Sequence, residues 1–154
     1  LPDGWYQKIS LASMQRVIEL LPREKDGSRI PILVFTKGGG IWLEDIAQCG
    51  ADVIGLDWTA SLSKARQRLM AINKPLALQG NFDPIGLFGD SKQIQTEATR
   101  LITELSLSPS LGEGLHPLDG HVFNLGHGIS QFTNPDHVTA LLEAVIRSST
   151  DLRK

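Results

Sequence analysis

A single cysteine, Cys49, stands among 154 residues, so no internal disulfide can form and a reducing, cytoplasmic compartment suits the chain. Long apolar runs are missing as well: none reaches the ~18 to 20 residues needed to span a bilayer. No basic stretch followed by an apolar core stands at the start, where a signal peptide would show it. Charge of one sign is scarce. A net charge of -2 and a pI near 6.1 leave no basic footprint for nucleic acid or an anionic membrane surface, and neither is expected as a partner. No internal repeat of roughly 20 to 50 residues appears beyond strand–helix alternation, which sets solenoids and propellers aside. The chain opens Leu1-Pro2-Asp3-Gly4, and its first methionine, Met14, lies inside a helical pattern. The expectation is a fragment or a processed product.

What is present is ordinary globular material, 41% hydrophobic and 21% charged, enough for one domain or part of a larger one. From Trp5, apolar residues Ile9, Leu11, Met14, Val17, Ile18, Leu20 and Leu21 recur at helical spacing up to Pro22, which ends the helix. Arg23 to Arg29 reads as a solvated loop. Ile30 to Phe35 is a short apolar run and predicts a strand buried on both faces. Trp42, Leu43, Ile46 and Ala47 mark a helix that stops near Cys49-Gly50. Val53 to Thr59 predicts the second strand, and a helix through Ala65, Leu69, Met70 and Ile72 follows a serine cap at Ser61 or Ser63. Leu76 to Asn81 predicts the third. Asp90-Ser91 caps a longer helix with Ile94, Ala98, Leu101, Ile102 and Leu105 on its apolar face. Ser106 to Gly120, about fifteen residues, is irregular and long for a compact domain. Val122 to Leu125 is the fourth strand. Asn134-Pro135 starts the last helix as cap and first-turn proline, with Val138, Leu141, Leu142, Val145 and Ile146 expected to face inward.

One helix followed by four strand–helix units demands a parallel sheet with right-handed crossovers. An open doubly wound sheet and a piece of a (β/α)8 barrel both satisfy the pattern. A complete barrel needs eight units and typically ~250 residues.

Several strand ends carry residues with chemistry. Gly126 and Gly128 flank His127, strip side-chain bulk from around the imidazole and leave it open above the strand's carboxyl end, where α/β folds bind ligands. Thr36-Lys37-Gly38-Gly39-Gly40 follows the first strand but lacks the P-loop and G-x-G-x-x-G spacings. Lys37 could neutralise an anionic ligand, although a solvated lysine is the plainer expectation. Asp57 reads as a cap for backbone N–H groups rather than a base, Trp58 as core, and Cys49 as a small buried residue.

Four phrases in order resemble one family. They are Phe35-Thr36-Lys37-Gly38-Gly39-Gly40, Gly55-Leu56-Asp57-Trp58-Thr59, Leu78-Gln79-Gly80-Asn81-Phe82-Asp83-Pro84 and Asn124-Leu125-Gly126-His127-Gly128. Together they are similar to uroporphyrinogen decarboxylases of bacterial type, over about Trp5 to Ser148. The resemblance implies an α/β fold, the carboxyl-terminal half of a (β/α)8 TIM barrel, with residues 1–154 a single partial domain whose amino-terminal half is absent. It implies a homodimer with facing clefts, uroporphyrinogen as substrate, and no cofactor and no metal. The implied reaction removes four acetate carboxyl groups from uroporphyrinogen III, giving coproporphyrinogen III and four CO₂ in haem and chlorophyll synthesis.

Among the family's contact positions only His127 has a counterpart here, implied to bind a substrate carboxylate. Imidazole as a side chain suits that role because it titrates near neutrality and a neighbouring carboxylate favours its charged form. Asp57 and Asp83 match motif positions of structural kind. The family's arginine-rich loop, pyrrole-binding aspartate, and tyrosine and serine contacts have no counterpart. Tyr6, the only tyrosine, does not match. The chain alone is therefore expected to lack catalytic residues and activity, and its open strand edges are expected to leave it marginal or paired with another copy. Two alternatives remain. A zinc- and corrinoid-dependent methyltransferase of the same barrel superfamily would need metal-ligand spacing that Cys49 does not supply. A non-catalytic binding module is the other.

Overall fold

The computed structural model describes residues 2–154. A π-helical turn at Tyr6–Leu11 runs directly into α1 (Ala12–Leu20). Leu21 then turns extended, as the residue before a proline must. Arg23 to Arg29 is more ordered than the solvated loop expected. It forms an exposed antiparallel hairpin of β1 (Glu24–Lys25) and β2 (Ser28–Arg29). Asp26 and Gly27 both take positive φ at its tip, the geometry that matches strand twist in a two-residue turn. Asp52 ties this hairpin down, accepting from Arg23, Arg29 and the Ile32 N–H.

The main sheet follows. In chain order come β3 (Leu33–Phe35), a 3-10 turn (Gly39–Trp42) with α2 (Leu43–Ile46), β4 (Val53–Gly55), α3 (Leu62–Ala71) and β5 (Ala77–Gln79). A 3-10 turn (Pro84–Phe88), α4 (Ser91–Ser106), β6 (His121–Val122) and α5 (Pro135–Asp151) complete the chain. The sheet order is β3-β4-β5-β6 and every pair is parallel. Helix starts fall where local chemistry puts them. Ser61 accepts from the Lys64 N–H, Asp90 and Gln93 form a reciprocal capping box, and Asn134 caps α5 with Pro135 in the first turn.

Register sorts the side chains into two faces. Val34, Ile54, Leu78 and His121 are paired neighbours, and this row faces the helices. Val34, Ile54 and Leu78 belong to one core with Leu43, Leu69 and Leu105. In the opposite row, Phe35, Gly55, Gln79 and Val122, the large apolar side chains of Phe35 and Val122 are 42% and 50% exposed. Here the structure corrects the sequence reading. Leu33 and Phe35, expected buried on both faces, are 41% and 42% exposed. Helices cover one side of the sheet, and four strands are half the number that closes a (β/α)8 barrel around its inner face. The β3 edge is apolar as well: Met14, Val17 and Leu21 of the helical arm line a cavity of about 400 Å³ with Leu33 and Phe35.

As expected, Leu141 of α5 is buried and Val145 packs against both cores, but the rest of the inward stripe is small residues. Ala140, Leu141, Ala144 and Ser148 are buried, whereas Leu142 and Ile146 are 54% and 65% exposed. Ala144 and Ala98 both lie in a second core with Ile94, Leu87 and Phe82. Two alanines allow α4 and α5 to approach closely, and Thr99 and Ser148 hydroxyls bond across the seam at 2.9 Å. Leu142 and Ile146, further round the helix, stay exposed.

Residues 107–120 carry no regular element but are not loose. Arg66 of α3, fully buried, donates to the Pro117 and Asp119 carbonyls. His116 accepts from the Leu118 N–H through Nδ1 and meets the Leu152 carbonyl through Nε2 at 3.0 Å. Arg153 pairs with Asp119 at 2.7 Å. This segment delivers the chain to the amino end of β6, opposite to the end where ligands bind in such sheets.

His121 on the helix-facing row predicts a pH response. Its Nε2 meets the Gly80 carbonyl at 2.8 Å and its ring stands edge-on to Phe123. Burial pushes the imidazole below its usual 6.5, the Gly80 carbonyl opposes that, and the Arg66 charge adds to it. The unfolded chain therefore binds this proton more readily than the folded one. Stability from this group is complete above pH 6.5 and is lost as pH falls from there toward the lowered folded value. Urea midpoints should drop between pH 7.5 and pH 5.5, and His121→Gln should flatten that interval. An unchanged slope in the variant would remove His121 as the cause.

Candidate substrate-binding site

The site is assembled from three strand ends that are locked to one another through backbone. Asp57, buried just past β4, accepts from the Gly38 N–H with one oxygen. The other takes the Thr59 N–H at 3.0 Å and the Thr59 hydroxyl at 2.5 Å. Burial pushes its carboxyl up, but the Thr59 and Gly38 donors and the Lys37 charge outweigh burial and hold it below the usual 3.8. Asp57 is thus a cap, as the sequence implied. Gly38, in the left-handed region, is bound to it and is not free to cradle a phosphate.

From β5, Asn81 donates through Nδ2 to the Asp57 carbonyl at 2.8 Å and the Ala60 carbonyl at 2.5 Å. Gly80 carries φ of 130°, and a Cβ there would lie 2.4 Å from the Leu56 carbonyl oxygen. Asp83 caps the following 3-10 turn through the Ile85 N–H. The predicted fourth strand, Val122 to Leu125, is regular only at His121–Val122. It continues as irregular pairing, with Gly80 N to Val122 O at 3.0 Å, Phe82 N to Asn124 O at 3.1 Å and Gly126 N to Phe82 O at 2.8 Å. This ladder carries Gly126 across to the end of β4. A Cβ on Gly126 would sit 2.8 Å from the Trp58 backbone N and 2.9 Å from the Asp57 Cα.

That close approach puts His127 beside Trp58. The two rings stand edge to face, 6.4 Å apart at 84°. His127 is exposed on the carboxyl side of the sheet and lines a cavity of about 580 Å³ with Phe35, Gln79, Asn124, Leu125 and Ile129. Trp58, expected in the core, is 36% exposed. Its ring stands beside His127 instead of in the core, and Gly126 packs against its backbone. The Lys37 ammonium lies 5.7 Å from the centre of the Trp58 ring. Cys49 is buried among Ile46, Ala47 and Ala51, away from this end. Among the described residues no three His, Cys, Asp or Glu side chains are grouped to hold a metal ion.

Gly126→Ala should lower stability by about 1–3 kcal/mol through overpacking against backbone that has no room to move. It should also weaken the His127–Trp58 contact, read as loss of the nuclear Overhauser effect between the two rings. Gly128→Ala, which meets nothing within 4 Å, is the control and should do neither. Equal stability of both variants would refute the packing account.

Residues 1–148 match the family described as uroporphyrinogen decarboxylase (URO-D). The chain belongs to the uroporphyrinogen decarboxylase family. A uroporphyrinogen decarboxylase from Paraburkholderia xenovorans is 48% identical over 153 residues, covering 99% of this chain and 38% of that protein. One from Bordetella pertussis is 49% identical over 145 residues, covering 94% and 37% respectively. The chain therefore spans under two-fifths of the length of these decarboxylase relatives. A solved methyltransferase from Methanosarcina mazei superposes with a TM-score of 0.66 at 18% identity, over 92% of this chain and 36% of that one. This likeness shows the fold, half of a (β/α)8 barrel, and nothing of the chemistry.

The resemblance seen in the four motif phrases is thus a family relationship. Those phrases also supply the strand-end lattice of the site: Gly38 to Asp57, Asn81 to Asp57, and Gly126 against Trp58. Sequence reasoning missed Trp58 as the neighbour of His127 and Lys37 as the partner of Trp58. The signal available was their adjacency to two strand ends, which says where they start but not where the side chains meet.

Proposed function

We propose that this chain forms the carboxylate-binding part of a uroporphyrinogen decarboxylase, which converts uroporphyrinogen III to coproporphyrinogen III with loss of four CO₂. The observation that carries this reading is His127, open above a cavity at the carboxyl end of the sheet in a chain of this family. In the implied chemistry a pyrrole is protonated and becomes electron-poor. The electron pair of the breaking C–C bond flows into the ring as CO₂ leaves, and a proton completes the methyl group. His127 contributes by holding a carboxylate of the substrate in place, a hydrogen bond strengthened when donor and acceptor are charged. No cofactor or metal enters.

The pyrrole-binding aspartate and the arginine-rich loop of the family have no counterpart among these residues, so the chain acts as one part of a complete cleft. We place that cleft in a homodimer in the cytoplasm. Support for the location is the single buried thiol and the absence, among the described residues, of a helix long and apolar enough to cross a membrane.

The test is anaerobic incubation with uroporphyrinogen III and assay for coproporphyrinogen. The chain alone should give none. Co-expression with the amino-terminal part of a bacterial relative should restore turnover, and His127→Ala in that complex should lower it about tenfold, the worth of one charge-assisted hydrogen bond. Turnover by the chain alone at the rate of a full-length relative would overturn the partial-cleft reading. An undiminished His127→Ala complex would overturn the role of His127.

A further inference from the structure

A second basic group is linked to His127 through a single ring, that of Trp58. Lys37 leaves the carboxyl end of β3 with its ammonium over the Trp58 ring, which stands 6.4 Å from the His127 ring and nearly perpendicular to it. Among the described residues Lys37 forms no ion pair with any carboxylate. Its neighbour Asp57 already has both oxygens occupied by the Gly38 and Thr59 donors. An exposed lysine with no partner ordinarily samples solvent. Here the indole face gives the ammonium a preferred seat, worth about 0.5–1 kcal/mol at an exposed position. Trp58 is itself fixed, since its backbone sits against Gly126 and Asp57 below it is bonded to both flanking loops.

We infer that Lys37 binds a second carboxylate of the same anionic ligand, with Trp58 as the positioning surface that sets the spacing between Lys37 and His127. The inference rests on the proposed function for its ligand and extends it by a residue and a geometry. One imidazole holds one carboxylate. A ligand with several acidic arms on a rigid ring gains from two donors at fixed separation, because the second contact forms without further loss of rotational freedom. Beside His127 the cavity is lined by Phe35, Leu125 and Ile129, apolar side chains that suit the ring itself.

The experiment is binding of uroporphyrin III, the stable fluorescent octacarboxylate, to the chain co-expressed with the amino-terminal part of a bacterial relative, read by fluorescence anisotropy. Coproporphyrin III, with four carboxylates, is run alongside. Lys37→Met should weaken uroporphyrin binding about tenfold, as expected for one charge-assisted contact, with Lys37→Arg restoring most of it. Trp58→Ala should weaken it less and should also make Lys37→Met nearly silent, because the ammonium then has no fixed place. Trp58→Phe, which keeps an aromatic face, should bind as the parent does. Circular dichroism of each variant should match the parent, since Lys37 and the Trp58 ring are exposed.

The outcomes separate the two readings. If His127→Ala weakens binding and Lys37→Met does not, the Lys37 inference is overturned and the proposed function stands. If the co-expressed complex fails to bind uroporphyrin, or binds it no more tightly than coproporphyrin, both are overturned. If Lys37→Met and Trp58→Ala act independently, Lys37 is a binding residue but Trp58 does not position it, and that part is overturned.

Discussion

Gly80→Ala is expected to cost roughly 2–5 kcal/mol of folding stability, combining backbone strain with overpacking. Two separate faults meet at one position. The backbone holds φ of 130°, which a residue with a Cβ rarely adopts, and the added carbon would lie 2.4 Å from the Leu56 carbonyl oxygen. That oxygen belongs to backbone in the sheet, so it has no rotamer into which to retreat. The glycine also starts the segment that pairs with Val122 and Asn124, and its carbonyl meets His121. Displacement there would therefore reach β6 and the site beyond it. Gly114→Ala separates the two faults. Gly114 has φ of 76° with nothing within 4 Å of its Cβ position, so it should show the backbone cost alone, about 1–2 kcal/mol. Urea titration of both variants measures the difference. Equal losses would mean that the Leu56 contact contributes nothing.

Arg66→Ala is the second large effect, about 3 kcal/mol or more from a cavity plus two carbonyls left without donors. Arg66 is fully buried, and burial lowers its pKa while Asp119 opposes that. Its guanidinium fastens Pro117 and Asp119, and with them residues 107–120, to α3. Its Nε has no partner, so the burial of this cation is incompletely offset. Arg66→Met fills most of the same volume without a charge and should lose only about 1–2 kcal/mol, the cost of the unmet carbonyls less the relief of desolvation. Thermal melts should thus order the chains parent, Met, Ala. Equal stability of the methionine and alanine variants would show that the lost hydrogen bonds, not the filled space, dominate.

Much of the architecture was legible locally. The capping residues Ser61, Asp90 and Asn134 mark three helix starts, and each is used as expected. The carboxyl-end position of His127 followed from a strand that stops at two glycines. What escaped the sequence depends on distant chain. An apolar run such as Ile30 to Phe35 records that side chains prefer burial, but not whether a second wall exists to bury them. Leu33 and Phe35 are exposed because the sheet is half of a closed ring. On α3, Arg66 and Arg68 look alike. One is sealed by a segment about fifty residues later in the chain, while the other pairs at the surface with Glu44. Nothing within the helix distinguishes them. Trp58 reads as core from its size alone. Its exposed place beside His127 goes with Gly126 packed against its backbone.

Cys49, the only thiol in the chain, is enclosed at the junction of α2 and the approach to β4. A sulfhydryl reagent can reach it only after that wall parts. Its labelling rate is therefore a clock on the opening of the β3–β4 side, started without any engineered probe and read separately from events at the β5–β6 side.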